Sequence, residues 1–242
     1  MPTPQYGKPP ITEAVIDLHF SASVSLSDLD RFRRRLAKQF PGANDRNRFE
    51  IKIGPESTAP VNEKVGYQLN SQDGANIIIV EKSTITTCRL APYCGWDSMF
   101  AAAQENYSHL EASVGYRSLK RVGTKFMNRI DIPSKTISGR PISDFIKFGV
   151  AVPSQISSSV ALYNINIEAP DPSGAKMLIN SGLQPSALLD AASFSLDIDV
   201  LFEYSNPITI TEAWAKFTEL RTIKNRVFEE AITDEARAIF NG

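Results

Sequence analysis

Apolar residues recur along this chain with two periods, and each change of period marks an element. From Ile11 to Phe20, Ala14, Ile16, Leu18 and Phe20 alternate with Val15, Asp17 and His19, which predicts a strand. Leu26, Leu29, Phe32, Leu36 and Phe40 follow at steps of three and four, one face of a helix that Ser25 or Ser27 caps and Pro41-Gly42 ends. Residues 49–53 read as a short strand and 55–64 as a polar loop. Residues 67–70 and 77–82 read as a hairpin, because Asp73-Gly74 between two strand-like runs is a strong turn signal. Residues 83–90 alternate again. Trp96, Phe100, Ala103, Tyr107, Leu110 and Val114 then line one face of a long helix. After Gly115 the period returns toward two, with Leu119, Val122, Phe126, Met127 and Ile130 set among Arg117, Lys120, Arg121, Lys125 and Arg129.

Beyond this basic strand, 134–141 read as a loop and 142–148 as a short helix capped near Ser143. Residues 160–169 and 175–180 pair as a hairpin around Pro170-Asp171-Pro172-Ser173-Gly174. Phe194, Leu196, Ile198, Val200 and Phe202 share one strand face, and Ser195, Asp197, Asp199 and Glu203 the other. Thr209 or Thr211 caps a final long helix built on Ala213, Trp214, Phe217, Leu220, Ile223, Val227 and Phe228, and a short helix restarts at Thr233. The order strand, helix, several strands, long aromatic helix thus occurs twice, over 11–115 and 117–232. Trp96 with Phe100 and Trp214 with Phe217 hold the same place in each half. The pattern predicts an α+β fold of two pseudo-repeated units, 1–115 and 116–242, each with antiparallel strands gripping a long aromatic-anchored helix. No flexible linker separates them, so one globular body is expected.

Composition narrows the function classes. The 242 residues carry 26 basic and 27 acidic side chains, a net charge of −1, so a nucleic-acid or membrane partner would need a local patch. Cys88 and Cys94 are the two cysteines and His19 and His109 the two histidines, which argues against a disulfide framework and a structural zinc site. The N-terminal stretch lacks an apolar leader core and no apolar run approaches a bilayer span, so a cytoplasmic protein with no membrane partner is expected. Phosphate-cradling glycine loops, GxSxG and HExxH are missing, and no cofactor is expected.

Four segments carry a resemblance: PPITEAVIDLHF at 9–20, YCGWDSMF at 93–100, RVGTKFMNRIDIP at 121–133 and FEEAIT at 228–233. Together they span nearly the whole chain and resemble a sporadically distributed, functionally uncharacterised family of bacterial proteins. Glu13 in the opening strand and the Arg-x-Gly-x-x-aromatic-x-Asn-Arg order are its most specific parts. The family pattern usually reads Arg-Tyr where this chain has Lys125-Phe126. The resemblance implies a shared fold and brings no established activity. Its scattered distribution is similar to that of mobile-element or defence-associated genes.

Three sets of residues carry candidate chemistry. Arg117, Arg121, Lys125 and Arg129 would stand about 7 Å apart for every two residues of strand, a row able to track phosphates or an acidic partner. Their simpler use is as cross-strand ion pairs with the acidic strand at Asp197. Asn128 and Arg129 are the best candidates for a specific polar contact, and Glu13 is expected to pair with Arg121 or Arg129. Asp197, Asp199 and Glu203 would suit a divalent cation in a nuclease or phosphodiesterase, if they converged. Arg31, Arg33, Arg34, Arg35 and Lys38 share a helix face dense enough for nucleic acid, although such runs are commonly just solvated. His109 reads as a residue at the edge of a buried helix face. The favoured function is a non-catalytic binding or scaffold protein that holds a protein partner, a second copy or a small ligand. Metal-dependent cleavage and nucleic-acid binding are the alternatives.

Overall fold

A computed structural model describes residues 6–53, 58–150, 153, 155, 160 and 162–241 of the chain. The fold is α+β. Its strands are β1 (Ile11–Phe20), β2 (Gly42–Ile53), β3 (Thr58–Asn70), β4 (Asn76–Glu81), β5 (Thr84–Leu90), β6 (Leu119–Pro133), β7 (Tyr163–Pro170), β8 (Lys176–Gln184) and β9 (Ala191–Ile208). They form one sheet in the order β2-β3-β4-β5-β1-β6-β9-β8-β7. The helices are α1 (Leu26–Leu36), α2 (Trp96–Val114), the single turn α3 (Ser134–Ile137), α4 (Ile210–Ala231) and α5 (Asp234–Asn241), with a 3-10 turn at Ile142–Asp144. No described helix is long and apolar enough to cross a membrane. The chain divides into two compact units: Val15–Val122 with Glu203–Ala213, and Met1–Ala14 with Gly123–Phe202 and Trp214–Gly242. The expected boundary at 115/116 falls in the connector between α2 and β6.

In the unit built mainly from 15–122, α1 packs on α2 and β3, and α2 on β5. Ser25 caps α1, its Oγ accepting the Asp28 N–H at 3.2 Å, and Leu29, Phe32 and Leu36 are buried. The Asn106 amide donates to Thr87 Oγ1 at 3.0 Å inside this core, so a buried amide on α2 is satisfied by β5. The β3–β4 hairpin turns as its sequence predicts: Asp73 Oδ1 accepts the Ala75 N–H at 3.0 Å and Gly74 sits at φ 69°.

The structure differs from the sequence reading between 42 and 64. The expected short strand at 49–53 extends back to Gly42 as β2. The expected loop at 55–64 is strand β3 from Thr58 onward, its residues 55–57 lying outside the described ones. β2 and β3 pair antiparallel from Gly42↔Asn70 to Ile53↔Thr58 with a register shift at Arg46/Asn47. Residues 43–49 of β2 are exposed on both faces, so no burial pattern marks them as a strand.

In the other unit, β7 and β8 form a hairpin and β8 continues into register with β9. The turn is closed by Asp171 N–H to Ala175 C=O at 2.7 Å, with Gly174 at φ 89°. Asp171 is buried and pairs with Arg226 of α4, which ties the turn to that helix. The α4 start, which lies in the 203–213 segment of the first unit, is a capping box. Thr209 N–H donates to Glu212 Oε2 at 2.7 Å and Glu212 N–H to Thr209 Oγ1 at 3.2 Å. Tyr6 fastens the N-terminal segment to the C-terminal helices, its hydroxyl donating to Glu229 at 2.8 Å and its ring standing edge-on to Phe240. The predicted loop after Pro133 begins instead with the single helical turn α3.

On this side of the sheet, α4 places cations over aromatic rings, Lys224 Nζ 4.0 Å from the centre of Phe126 and Lys216 Nζ 4.6 Å from that of Phe202. Burial pulls the Lys224 amine down from 10.5 to about 8, with Arg221 acting in the same direction. Below pH 8 the amine is charged in both states and its burial costs stability. Between about 8 and 10.5 the folded state releases its proton first, so stability climbs with pH there and is fully regained above the unfolded value. Lys224→Met should therefore melt at a higher temperature than the parent at pH 7 and lose that slope, as thermal denaturation across pH would read.

Candidate binding face

Strand alternation divides the side chains of the unit that holds β7, β8 and β9. Phe194, Leu196, Ile198 and Val200 of β9 are fully buried, and Ser195, Asp197 and Asp199 lie on the opposite face. In β6 the buried set is Val122, Thr124, Phe126, Ile130 and Ile132, and Phe126 meets α4. Lys125 therefore shares the face turned away from α4 with Asp197.

The register carries this face outward through β8 to β7. Asn180 stands directly opposite Asp197, and Asn166 directly opposite Asn180. The amides are linked: Asn180 Nδ2 donates to Asn166 Oδ1 at 3.0 Å, and Asn166 Nδ2 donates to Asn164 Oδ1 at 3.0 Å. A polar row thus crosses four adjacent strands in the order Lys125, Asp197, Asn180, Asn166. Burial pushes the Asp197 carboxyl up from the ordinary carboxylate value, and the positive charge of Lys125 partly opposes it. The row offers amide donors and acceptors, one half-buried carboxylate and one ammonium. It contains no nucleophile activated by a base. Groups of these kinds can recognise a ligand by hydrogen bonds and charge.

The basic strand forms neither a row able to track phosphates nor a ladder of ion pairs with the acidic strand at Asp197. Its alternation slips near the start, since Leu119 and Val122 are both fully buried with two residues between them. Arg121 there lies 3.9 Å from Asp17 of β1, and Asp17 is also 3.0 Å from His19 Nε2. Arg129 pairs within its own strand, Nε to Asp131 Oδ2 at 2.9 Å, and Ser193 donates to the other Asp131 oxygen at 2.5 Å. The expected pairing of Glu13 with Arg121 or Arg129 is thus corrected: those guanidiniums go to Asp17 and Asp131. Pairing with the Asp197 strand comes down to Lys125. Arg117 turns back onto its neighbour's backbone, donating to the Tyr116 carbonyl at 2.8 Å.

Asn128 is a clamp, not a surface contact. It is 4% exposed, and its amide donates to the Leu196 carbonyl at 2.7 Å. On α1 the cations are spent within the helix: Arg31 on Asp28 at 2.5 Å, and Arg33 and Arg34 on Asp30 at 2.7 and 2.5 Å. The Arg33 hydrogen bond holds the Asp30 carboxyl below its ordinary value. Arg35 donates to His109 Nδ1 at 3.3 Å, so that histidine sits at a helix boundary. Such i,i+3 and i,i+4 pairs are the usual fate of a mixed helix face. Among the described residues no three His, Cys, Asp or Glu side chains are grouped to hold a metal ion, so Asp197, Asp199 and Glu203 do not converge.

Sequence reasoning passed over Asn164, Asn166 and Asn180. Neutral amides make no charge signal, and only the hairpin register brings them together. The alternation of asparagines with isoleucines in 163–167 is the one trace they leave in the sequence. Neither a protein-family model nor a curated protein matches this chain.

Proposed function

We propose that this is a non-catalytic binding or scaffold protein that holds a protein partner on the polar sheet face opposite α4. The observation that carries the reading is the row in which Asn180, hydrogen-bonded to Asn166, stands opposite Asp197 with Lys125 beside it. A half-buried carboxylate held against its solvation preference is a feature that stability alone does not explain, and such groups gather at functional sites. The mixed character of the row favours a protein surface over phosphates, which Asp197 would repel. The α1 arginines support nucleic-acid binding less, because Asp28 and Asp30 already engage three of them. The strand order supports two pseudo-repeated units: outward from β1 lie β5, β4, β3 and β2, and outward from β6 lie β9, β8 and β7. The resemblance of 9–20, 93–100, 121–133 and 228–233 supports a role in a mobile-element or defence-associated complex, and the sparse cysteines support a cytoplasmic one.

The test is capture of partners by the tagged protein from its host with and without nuclease treatment, comparing the parent with Asn180→Arg. A stoichiometric protein retained by the parent and lost by the variant is the expected result. Recovery of nucleic acid with a steep salt dependence, or equal capture by both proteins, overturns the proposal.

Asp197 gives a second prediction. Its folded pKa is raised, so ionisation weakens the fold as pH rises through the window above the unfolded carboxylate value. Asp197→Asn should therefore melt higher at pH 7, with a flatter dependence on pH, while capturing less partner. A gain in stability bought with lost function is the common signature of a binding group.

A further inference from the structure

The sheet has two edges, and they are built differently. At β2 the ladder is broken by the shift at Arg46/Asn47, and charges stud the strand: Asp45 pairs with Lys64 at 2.7 Å and Arg46 with Glu81 at 3.3 Å. Bulges and charges are the usual means of stopping an edge from pairing with another chain. The β7 edge has neither means in force. Its eight residues pair with β8 in unbroken register, and its one charge, Glu168, is already held by Lys176 at 3.2 Å.

The backbone polarity of β7 follows from its turn. Asp171 and Ala175 are a hydrogen-bonded pair in register with the ladder, so the alternate residues 163, 165, 167 and 169 bond to β8. The N–H and C=O groups of Asn164, Asn166 and Glu168 therefore point away from β8. Pro170 shares their orientation and has no N–H to offer.

We infer that β7 is the pairing edge for a second copy of this chain, antiparallel across a two-fold axis at Asn166. In that register Asn166 exchanges both backbone bonds with its own copy, and Asn164 exchanges them with Glu168. Ile165 meets Ile167 on one face. No like charges stand opposite each other, and Pro170 falls outside the bonded stretch. Such self-complementarity is what an isologous contact requires. The inference does not depend on the partner proposed for the sheet face.

Sedimentation velocity over a wide concentration range reads the result. The parent should pass from monomer to dimer, and the amides of Asn166 and Glu168 should gain exchange protection as it does. Asn166→Lys sets two ammonium groups against each other and Asn166→Pro deletes an outward N–H without touching the β8 ladder, so both should remain monomers. Asn164→Lys faces Glu168 of the copy and should still dimerise. A parent that stays monomeric at the highest concentration overturns the inference, as does a dimer unaffected by both Asn166 variants. A circular dichroism spectrum unchanged from the parent excludes misfolding as the cause.

Discussion

Gly66→Ala should lower the folding stability by about 3 kcal/mol, the largest loss expected of a single added methyl group in this chain. A Cβ on residue 66 would lie 1.9 Å from the Val80 carbonyl oxygen and 2.7 Å from the Glu81 Cα. Both are backbone atoms of the neighbouring strand, so no side chain can rotate to make room. Gly66 pairs with Glu81 on one side and Arg46 on the other, beside the register shift. Relief would require β3 and β4 to separate where Val65, Tyr67 and Val80 are buried. Overpacking with backbone displacement costs at least about 3 kcal/mol, a large part of the stability of an ordinary domain. Urea denaturation should show the loss in midpoint, or soluble expression should fail. Gly182→Ala gives the graded control, since its Cβ would stand 2.9 Å from the Tyr163 carbonyl oxygen and 3.2 Å from Ser195 Oγ, which can turn aside. Its cost should be nearer 1–2 kcal/mol, about what mild overpacking brings.

Arg226→Met is the second large effect expected. Asp171 has a side chain only 4% exposed, and with Arg226 gone its charge is left with the Ser173 N–H at 3.0 Å. Burial alone would raise this carboxyl, yet the Ser173 hydrogen bonds and Arg226 together hold it below the ordinary value. Stability from this group is present above the unfolded carboxylate pKa and lost as pH falls through the lower folded one. Arg226 is half-exposed and solvent screens part of the pair, so the cost at pH 7 should be about 2 kcal/mol. The variant should also lose part of the parent's acid sensitivity, because Asp171 then protonates nearer its unfolded value. Melting curves at neutral and acid pH test both points.

Sequence alone revealed elements that a hydrophobic period or a turn signal marks. The α2 and α4 faces, the opening strand and the Asp73-Gly74 and Pro170–Gly174 hairpins all follow from periodicity and turn chemistry. It failed at residues 42–48, where the strand is wet on both faces and Asp, Asn and Arg give no alternation to read. It failed differently at β6: the arginines were visible, but their partners are set by long-range pairing. Arg121 meets Asp17 from a strand a hundred residues earlier in the chain, and Arg129 meets Asp131 beside it. The candidate face was legible only at Asp197 and Lys125. Asn166 and Asn180 acquire meaning from the register between strands, and no local window contains that register.

The division of the chain into interleaved segments bears on how the protein emerges from a ribosome. The unit containing α1 and α2 lacks its 203–213 segment until β7 and β8 have been made, and the other unit lacks α4 and α5 until after that segment. Neither unit can close before residue 203 has been made. A chain cut before residue 203 should therefore leave both units incomplete, whereas one cut just after residue 213 should leave only the second incomplete.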